Sequence, residues 1–185
     1  MAPVETAPVP RADRIGRIAD RAARGSEVWA RSVVAPADRV GDALFGPVAG
    51  AAFADGVETI YEGYLVHHAP RGRVFSSPDR EQGLLLGDYL YATGLVQVCE
   101  AGDVEAIAAL ADLVSLAAHL RATGAGVDGE LWLATARHLG GPRGDELADA
   151  RDGLRAGDAT ALLALVADAD AVPLLVEHRR LMGDA

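Results

Sequence analysis

Hydrophobic residues recur along most of the chain at the spacing of an amphipathic α-helix. Over residues 11–34, apolar positions such as Ile15 and Ile18 return every three to four residues, with arginines between them. This stretch predicts one amphipathic helix with a break at Gly25 or Ser26. Alternation with period two is never sustained, so we expect an all-α fold of about seven or eight helices in a bundle.

Proline and glycine divide this pattern into shorter units. They predict helices over Ala37–Leu44, Val48–His68, Pro78–Ala101, Glu130–Leu139 and Ala171–Met182. The third of these is apolar on nearly all sides, which is typical of a central helix, and Ser77 is its expected N-cap. Residues 1–10 hold three Pro without periodicity. We therefore predict a flexible tail there and a single helical domain over residues 11–185.

The tripeptide Ala-Gly-Asp occurs twice in front of an Ala/Leu-rich run, with its aspartate at Asp103 and at Asp158. Each copy is typical of a helix that ends at glycine, followed by a helix whose N-terminus is capped by aspartate. The two copies predict further helices joined by tight connections.

Composition limits the possible partners. The net charge is −10, and all 17 basic residues are Arg, because the chain contains no Lys. Residues 1–40 hold seven Arg and five acids, whereas the remainder holds ten Arg and twenty-two acids. Such an acidic body should repel nucleic acid and anionic membranes. The Arg-rich first helix also carries acids, which favours a solvated face or a surface for an acidic partner.

Three further features favour a cytoplasmic protein. The single cysteine, Cys99, cannot form an internal disulfide, and no basic residue stands near it to activate the thiol. The N-terminus lacks the apolar core of a signal sequence. No uninterrupted apolar run reaches the roughly 18–20 residues that span a bilayer, so we expect no membrane span.

The stretch from Tyr64 to Gly94 places two histidines at the end of one predicted helix and a lone carboxylate within the next. His67 and His68 are adjacent, so their side chains point about 100° apart and are unsuited to one metal ion. The other histidines lack ligand spacing, and no metal site is predicted. Asp88 is either an acid facing a cavity or, as we expect, a buried carboxylate paired with Arg or a helix terminus.

The four tyrosines of the chain all fall in the two long apolar helices predicted over Val48–His68 and Pro78–Ala101. They are Tyr61, Tyr64, Tyr89 and Tyr91. Aromatic residues at helical spacing usually pack in a core or an interface, which is our expectation, although they would also suit the wall of a site for an apolar chain. The candidate interface or cavity comprises Tyr61, Tyr64, Gly83, Tyr91 and Leu95.

The order of these features resembles the centre of the trans-prenyl diphosphate synthases, the polyprenyl synthetase family. In that family a helix ending Leu-Val-His-Asp-Asp is followed by a loop with Arg and Gly, and then by a helix containing Gly-Asp-Tyr/Phe-Leu-x-Ala. Here the first helix ends Leu-Val-His-His at His68, and the second contains the structural signature Gly87, Asp88 and Tyr89. The resemblance covers roughly residues 54–121.

The departures from the family pattern concern its chemistry. In active members the Asp-rich motif binds Mg²⁺, and the metal holds the diphosphate. The matching five positions here contain no carboxylate, and they include Arg71, whose charge would repel Mg²⁺. The second Asp-rich motif and the family's Gly-Gly-Lys-x-Arg-Pro segment have no counterpart. His67, His68 and Arg71 are therefore interpreted as a degenerate Asp-rich corner at a helix C-terminus.

The resemblance implies a short, noncatalytic subunit of a heteromeric prenyl diphosphate synthase. Such a chain would pair with a catalytic subunit and influence product length, and Mg²⁺ would be bound only by the catalytic partner, so we assign no cofactor to this chain. Two alternatives stay open. One is a divergent enzyme or binding protein for an isoprenoid, and the other is a homodimeric structural bundle.

Overall fold

A computed structural model describes residues 11–77 and 79–184, and over these residues the protein is an all-α bundle without strands, as predicted. Its helices are α1 (Arg11–Gly25), α2 (Glu27–Ser32), α3 (Ala54–His68), α4 (Arg80–Cys99), α5 (Val104–Thr123), α6 (Asp128–Gly140), α7 (Glu146–Arg155), α8 (Thr160–Leu165) and α9 (Ala171–Met182). A 3₁₀ turn, Pro36–Asp38, follows α2. The tail predicted for residues 1–10 lies outside the described residues.

The centre of the bundle is α3. Eleven of its fifteen residues are buried, whereas α4 buries only six of twenty. The prediction that the helix after Ser77 would be the central one is therefore wrong. Its apolar composition was misleading because an apolar helix face can remain exposed on a protein surface.

Glycines allow α3 and α4 to pack closely along their length. A Cβ on Gly56 would lie 2.9 Å from the carbonyl oxygen of Gly94, and a Cβ on Gly63 would lie 2.9 Å from that of Gly87. Any larger residue would force the two helices apart. A Cβ on Gly94 would likewise lie 2.7 Å from the carbonyl oxygen of Gly56, whereas a Cβ at Gly83 would make only an ordinary contact of 3.7 Å.

The buried apolar residues form two clusters. The larger one surrounds α3 and includes Tyr61, Leu110 and Trp132, which come from three different helices. The smaller one joins α1 to α4 and includes Ile18 and Leu90. The smaller cluster explains why the N-terminal amphipathic helix is part of the same domain.

Of the predicted helices, the one over Ala37–Leu44 is wrong, and the one over Val48–His68 begins later than predicted. Over Ala37–Leu44 the chain forms only the 3₁₀ turn and then runs as irregular backbone, and α3 begins six residues after Val48. Gly41 and Gly50 both have positive φ, at 68° and 81°, which interrupts helical geometry. Side chains from elsewhere in the protein bind the freed backbone groups of this segment.

Polar side chains at the predicted caps confirm several boundaries. The hydroxyl of Ser26 accepts the first hydrogen bond of α2 at 3.1 Å, so the break in the N-terminal helix is confirmed. Asp103 accepts the N–H of Ala106 at 2.9 Å, and Asp158 accepts the N–H of Thr160 at 2.8 Å. The cap is therefore confirmed at Asp103, whereas the N-cap of α8 is Ala159, one residue after Asp158.

The N-cap of α4 differs from the prediction. Asp79 accepts the N–H of Glu81 at 3.0 Å and is the capping residue. The hydroxyl of Ser77 instead donates to the carbonyl oxygen of Asp79 at 2.8 Å. Pro78 lies outside the described residues. The N-cap is Asp79, two residues after the predicted Ser77, because a carboxylate is at least as good a cap as a hydroxyl.

Among the described helices, α5 is long and apolar enough to cross a membrane by length and composition alone. Core helices of water-soluble proteins meet the same test, and α5 buries Leu110, Leu113 and Ala117 against the bundle. The finding is therefore weak evidence for a membrane span.

Candidate functional site

The corner that the sequence singled out lies where the C-terminal end of α3 meets the middle of α4. His67 packs directly over Gly87, where there is no room for a Cβ. Its ring stacks on that of Tyr91 with centroids 5.1 Å apart, and its Nε2 lies 3.3 Å from Oδ1 of Asp88. The structure thus brings together residues that the sequence placed on two separate helices, and it explains why glycine is needed at position 87.

Asp88 is exposed, which contradicts the expectation of a buried acid. Its side chain is 70% accessible, and its partner is His67 rather than an arginine or a helix terminus. The error follows from the position of α4, because Asp88 lies on the solvent-exposed side of that helix, at the edge of its contact with α3. Water solvates this carboxylate, so no buried partner is required.

The other two corner residues serve different neighbours. His68 packs against the ring of Tyr64 with centroids 4.7 Å apart. Arg71 donates from Nη2 to the carbonyl oxygen of Asp38 at 2.5 Å and from Nε to that of Gly72 at 3.2 Å. The guanidinium of Arg71 therefore holds the 3₁₀ turn against the end of α3 instead of facing the histidines.

The histidines of the corner are held towards their neutral forms. Burial lowers the pKa of His67, although the charge of Asp88 acts against this. Burial also lowers the pKa of His68, and the positive charges of neighbouring groups add to the effect. Within residues 11–77 and 79–184, no group of three or more His, Cys, Asp or Glu is placed to hold a metal ion.

The tyrosines divide between the core and the helix surface. Tyr61 and Tyr64 are fully buried, and their ring centroids lie 5.0 and 5.3 Å from that of Trp132. Core packing is confirmed for these two residues. Tyr89 and Tyr91 are partly buried at the edges of α4. As a group the tyrosines therefore do not form one apolar wall.

A row of exposed residues runs along α4, and we call it the α4 outer face. It consists of Leu84, Leu85, Asp88, Ala92 and Val96. Leu85 and Val96 are each 62% exposed, although both are large and apolar. The free thiol of Cys99 is exposed just beyond them. Such a row on a well-packed helix is typical of an interaction surface.

No residue of the predicted interface set belongs to the α4 outer face, because Tyr61 and Tyr64 are buried in the core and Tyr91 is only partly exposed. Gly83 is buried and Leu95 is partly buried, so neither residue contributes much to the α4 outer face. The apolar residues that do contribute, Leu84, Leu85 and Val96, were absent from that set. The helix register could not be oriented from the sequence because both sides of α4 are apolar.

A buried ion cluster ties α3 to the loops around it, and sequence reasoning missed it. Arg73 donates from Nη1 to Oε2 of Glu58 at 2.6 Å and from Nε to Oε2 of Glu62 at 3.0 Å, and all three side chains have no solvent exposure. Although burial disfavours its charge, Glu58 and Glu62 raise the pKa of Arg73 above its usual value. The guanidinium of Arg73 therefore stays charged and is paired within the cluster.

The remaining oxygens of this cluster bind backbone. Oε1 of Glu58 accepts the N–H groups of Leu44 and Gly46 at 2.7 and 2.6 Å, and Oε1 of Glu62 accepts that of Val74 at 2.9 Å. These bonds replace the helix that the sequence predicted before residue 45. The local signal available was a pair of acids four residues apart on an apolar helix.

A second group of buried polar side chains, the Tyr-His-Asp chain, joins α3, α6 and α9. The hydroxyl of Tyr61 lies 2.9 Å from Nδ1 of His178, and Nε2 of His178 lies 3.1 Å from Oδ2 of Asp128. The hydroxyl of Tyr64 donates to the same oxygen at 2.6 Å. Because an ionised carboxylate only accepts, Nε2 of His178 donates its hydrogen bond to Oδ2 of Asp128.

Asp128 is ionised despite its burial. Burial raises the pKa of this carboxyl group, but the hydrogen bonds from His178 and Tyr64, with the charge of Arg121, lower it to about 2. Conversely, burial and the charge of Asp128 raise the pKa of Tyr64, so its phenol stays protonated. The chain thus contains one fixed negative charge, with donors aligned towards it.

A cavity of about 350 Å³ lies beside the Tyr-His-Asp chain. Asp128 and His178 line its inner end, Leu120 and Leu175 contribute apolar walls, and Arg179 stands among the outer residues. Neither Asp128 nor His178 was singled out from the sequence. They are 50 positions apart, and neither has a local pattern that would connect it to the other.

Comparison with known proteins gives no match to a family model, to a curated protein or to a solved structure. The similarity to the polyprenyl synthetase family accordingly rests on the residues between 54 and 121 that carry it.

Proposed function

We propose that this protein is a noncatalytic subunit of a heteromeric prenyl diphosphate synthase in the cytoplasm. It would pair with a catalytic chain and influence the length of the product. The α4 outer face is the observation that supports this proposal most directly, because it belongs to the helix that contains the Gly87, Asp88 and Tyr89 signature.

The geometry of α4 suits a partner helix. Leu85 and Val96 are three turns apart on the same side, a span of about 16 Å at the rise of an α-helix. A partner helix lying along this row would remove both side chains from water. Asp88 lies between them, so the partner should supply a cation or hydrogen-bond donor at that point, because an unpaired buried carboxylate costs several kcal/mol, about 3–5.

The degenerate corner supports the noncatalytic part of the proposal. Departure of diphosphate requires concentrated positive charge, which metal ions or free cationic side chains supply. In the corner Arg71 is bonded to backbone carbonyls, and the pKa values of His67 and His68 are lowered by burial. Mg²⁺ and the allylic diphosphate would accordingly be bound by the catalytic partner.

Co-expression with a prenyl diphosphate synthase from the same genome, followed by native mass spectrometry, tests the pairing. We expect a stable hetero-oligomer whose product length differs from that of the synthase alone. Leu85→Glu and Val96→Glu should each weaken the complex by about tenfold or more, since a charge would then be buried in the interface. Val104→Glu is the control, because Val104 is equally exposed but lies on α5.

Other outcomes would support the alternatives. A homodimer that is disrupted by Leu85→Glu, with no association with the synthase, would favour the homodimeric structural bundle. Product formation by the purified chain with Mg²⁺ and prenyl diphosphates would contradict the noncatalytic role. Binding of an isoprenoid by the chain alone would favour the isoprenoid-binding alternative.

A further inference from the structure

One oxygen of the buried carboxylate Asp128 is turned towards the cavity without a hydrogen bond from the protein. Oδ2 accepts from both Tyr64 and His178, whereas Oδ1 has no hydrogen-bond donor among the described residues. The nearest cation to Oδ1 is Nη1 of Arg121, at 3.8 Å. Because Asp128 is ionised and lines the cavity, its Oδ1 is available to accept a hydrogen bond from a ligand there.

The outer end of the cavity has the opposite character. Arg179 is exposed, and its closest acid, Glu130, is 3.8 Å away. Arg121 holds the carboxylate of Asp184 at 2.6 Å from Nη1 and 3.4 Å from Nη2. The pairing of Asp184 with Arg121 thus shows that this end of the cavity can bind a carboxylate. A ligand carboxylate would bind Arg179 and compete with Asp184 for Arg121.

From these two ends we infer that the cavity binds a small zwitterion, with its ammonium group on Asp128 and its carboxylate on the arginines. The volume of about 350 Å³ accommodates an amino acid, and Leu120 and Leu175 offer contacts for an apolar side chain. The inference rests on the cavity and its lining residues, and it does not depend on the proposed subunit role.

Ligands with a single charge fit less well. Three carboxylates, Asp128, Glu130 and Asp184, would repel a simple anion. A simple cation would satisfy Asp128 but leave Arg179 without a strong partner. A zwitterion pairs with both ends at once, and each charge-assisted hydrogen bond adds roughly 1.5–3 kcal/mol.

The test uses L-leucine and two matched probes, measured by isothermal titration calorimetry on the full chain. 4-Methylpentanoate lacks the ammonium group of leucine, and 3-methylbutylamine lacks its carboxylate. We expect leucine to bind about tenfold or more tightly than either probe, in line with the loss of one charge-assisted bond. Equal binding of all three probes, or binding of none, would overturn the proposal.

Variants separate the two ends of the site. Arg179→Gln should weaken the binding of leucine and leave the binding of 3-methylbutylamine unchanged. Asp184→Ala should strengthen the binding of leucine, because it removes the carboxylate that competes for Arg121. Asp128→Asn should abolish the preference for leucine over 4-methylpentanoate, provided that circular dichroism shows a folded protein. Arg155→Gln, at an exposed arginine on α7, is the control. If both Arg179→Gln and Asp184→Ala leave leucine binding unchanged, the arginines do not hold the carboxylate of the ligand and the inference is overturned.

Discussion

The protein contains two groups of buried polar side chains that differ in how completely they are satisfied. In the buried ion cluster every charged oxygen of Glu58 and Glu62 has a donor, and Arg73 is bonded on all sides. In the Tyr-His-Asp chain the donors converge on one oxygen of Asp128, and the other oxygen faces a cavity. Burial is nearly complete in both groups, so burial alone does not distinguish them.

The difference indicates which group is structural and which is available for binding. A polar group with all its bonds made inside the protein gains nothing from a ligand, and its removal damages the fold. A polar group with one bond left open can gain that bond from a ligand. The ion cluster organises the loop before α3, whereas the Tyr-His-Asp chain positions a charge at the end of a cavity.

The largest expected effect is the loss of stability on Arg73→Leu. This substitution leaves Glu58 and Glu62 buried without a cation, which costs about 3–5 kcal/mol of unfolding free energy. Arg155→Leu is the matched control, because Arg155 also pairs with two carboxylates but is exposed, and we expect a loss of about 1 kcal/mol or less. Urea denaturation of both variants measures the difference in unfolding free energy. Equal losses in the two variants would mean that water reaches the buried ion cluster.

An intermediate effect is expected on the pH dependence of stability through Asp128. Its pKa in the folded protein is about 2, below the ordinary 3.8, so the folded state binds this proton less readily than the unfolded state. The ionised group contributes roughly 2 kcal/mol above pH 4, and the contribution is lost as the pH falls from about 4 to 2. In Asp128→Asn this part of the acid dependence should disappear.

Denaturation curves at pH 5, 4, 3 and 2 measure this effect. The gap in unfolding free energy between the wild type and Asp128→Asn should narrow steadily as the pH falls. Asp145→Asn, at an exposed aspartate, should run parallel to the wild type. A gap that stays constant over this range would contradict the bonding of Asp128 within the chain.

The smallest effect is expected at the corner, where His67 and His68 are only partly buried. Burial lowers both pKa values below the ordinary 6.5, so the unfolded state binds these protons more readily. Their contribution to stability is present above pH 6.5 and decreases as the pH falls through that value. The double variant His67→Gln/His68→Gln should therefore show a flatter stability profile between pH 7 and 5. His119→Gln, at an exposed histidine, should keep the wild-type slope.

Helices were predictable from the sequence where the evidence is local. The last helix, Ala171–Met182, was predicted at both ends, and Asp103 and Ser26 begin helices as their side chains indicated. Errors arose where tertiary contacts override local preference. The segment before α3 is irregular because Glu58 and Arg73 bind its backbone.

The site residues divide in the same way. The sequence assigned His67 to the corner and Gly87 to the signature on the next helix, and the structure joins these two residues by direct packing. It gave the wrong environment for Asp88, because hydrophobicity on both faces of α4 leaves the orientation of that helix undetermined. Asp128 and His178 were not predicted, because a hydrogen bond between residues 50 positions apart has no corresponding pattern in the sequence.

By itself the sequence determined the all-α class, the cap at Asp103 and the absence of carboxylates from residues 68–72, because each depends on residue type and short spacing. Only the tertiary structure decided that α3 is central, that Leu85 and Val96 face outward, and that Asp128 has one oxygen open to a cavity. The physical reason is that burial and hydrogen-bond satisfaction are properties of how helices pack together. No single helix specifies which of its faces another helix will cover.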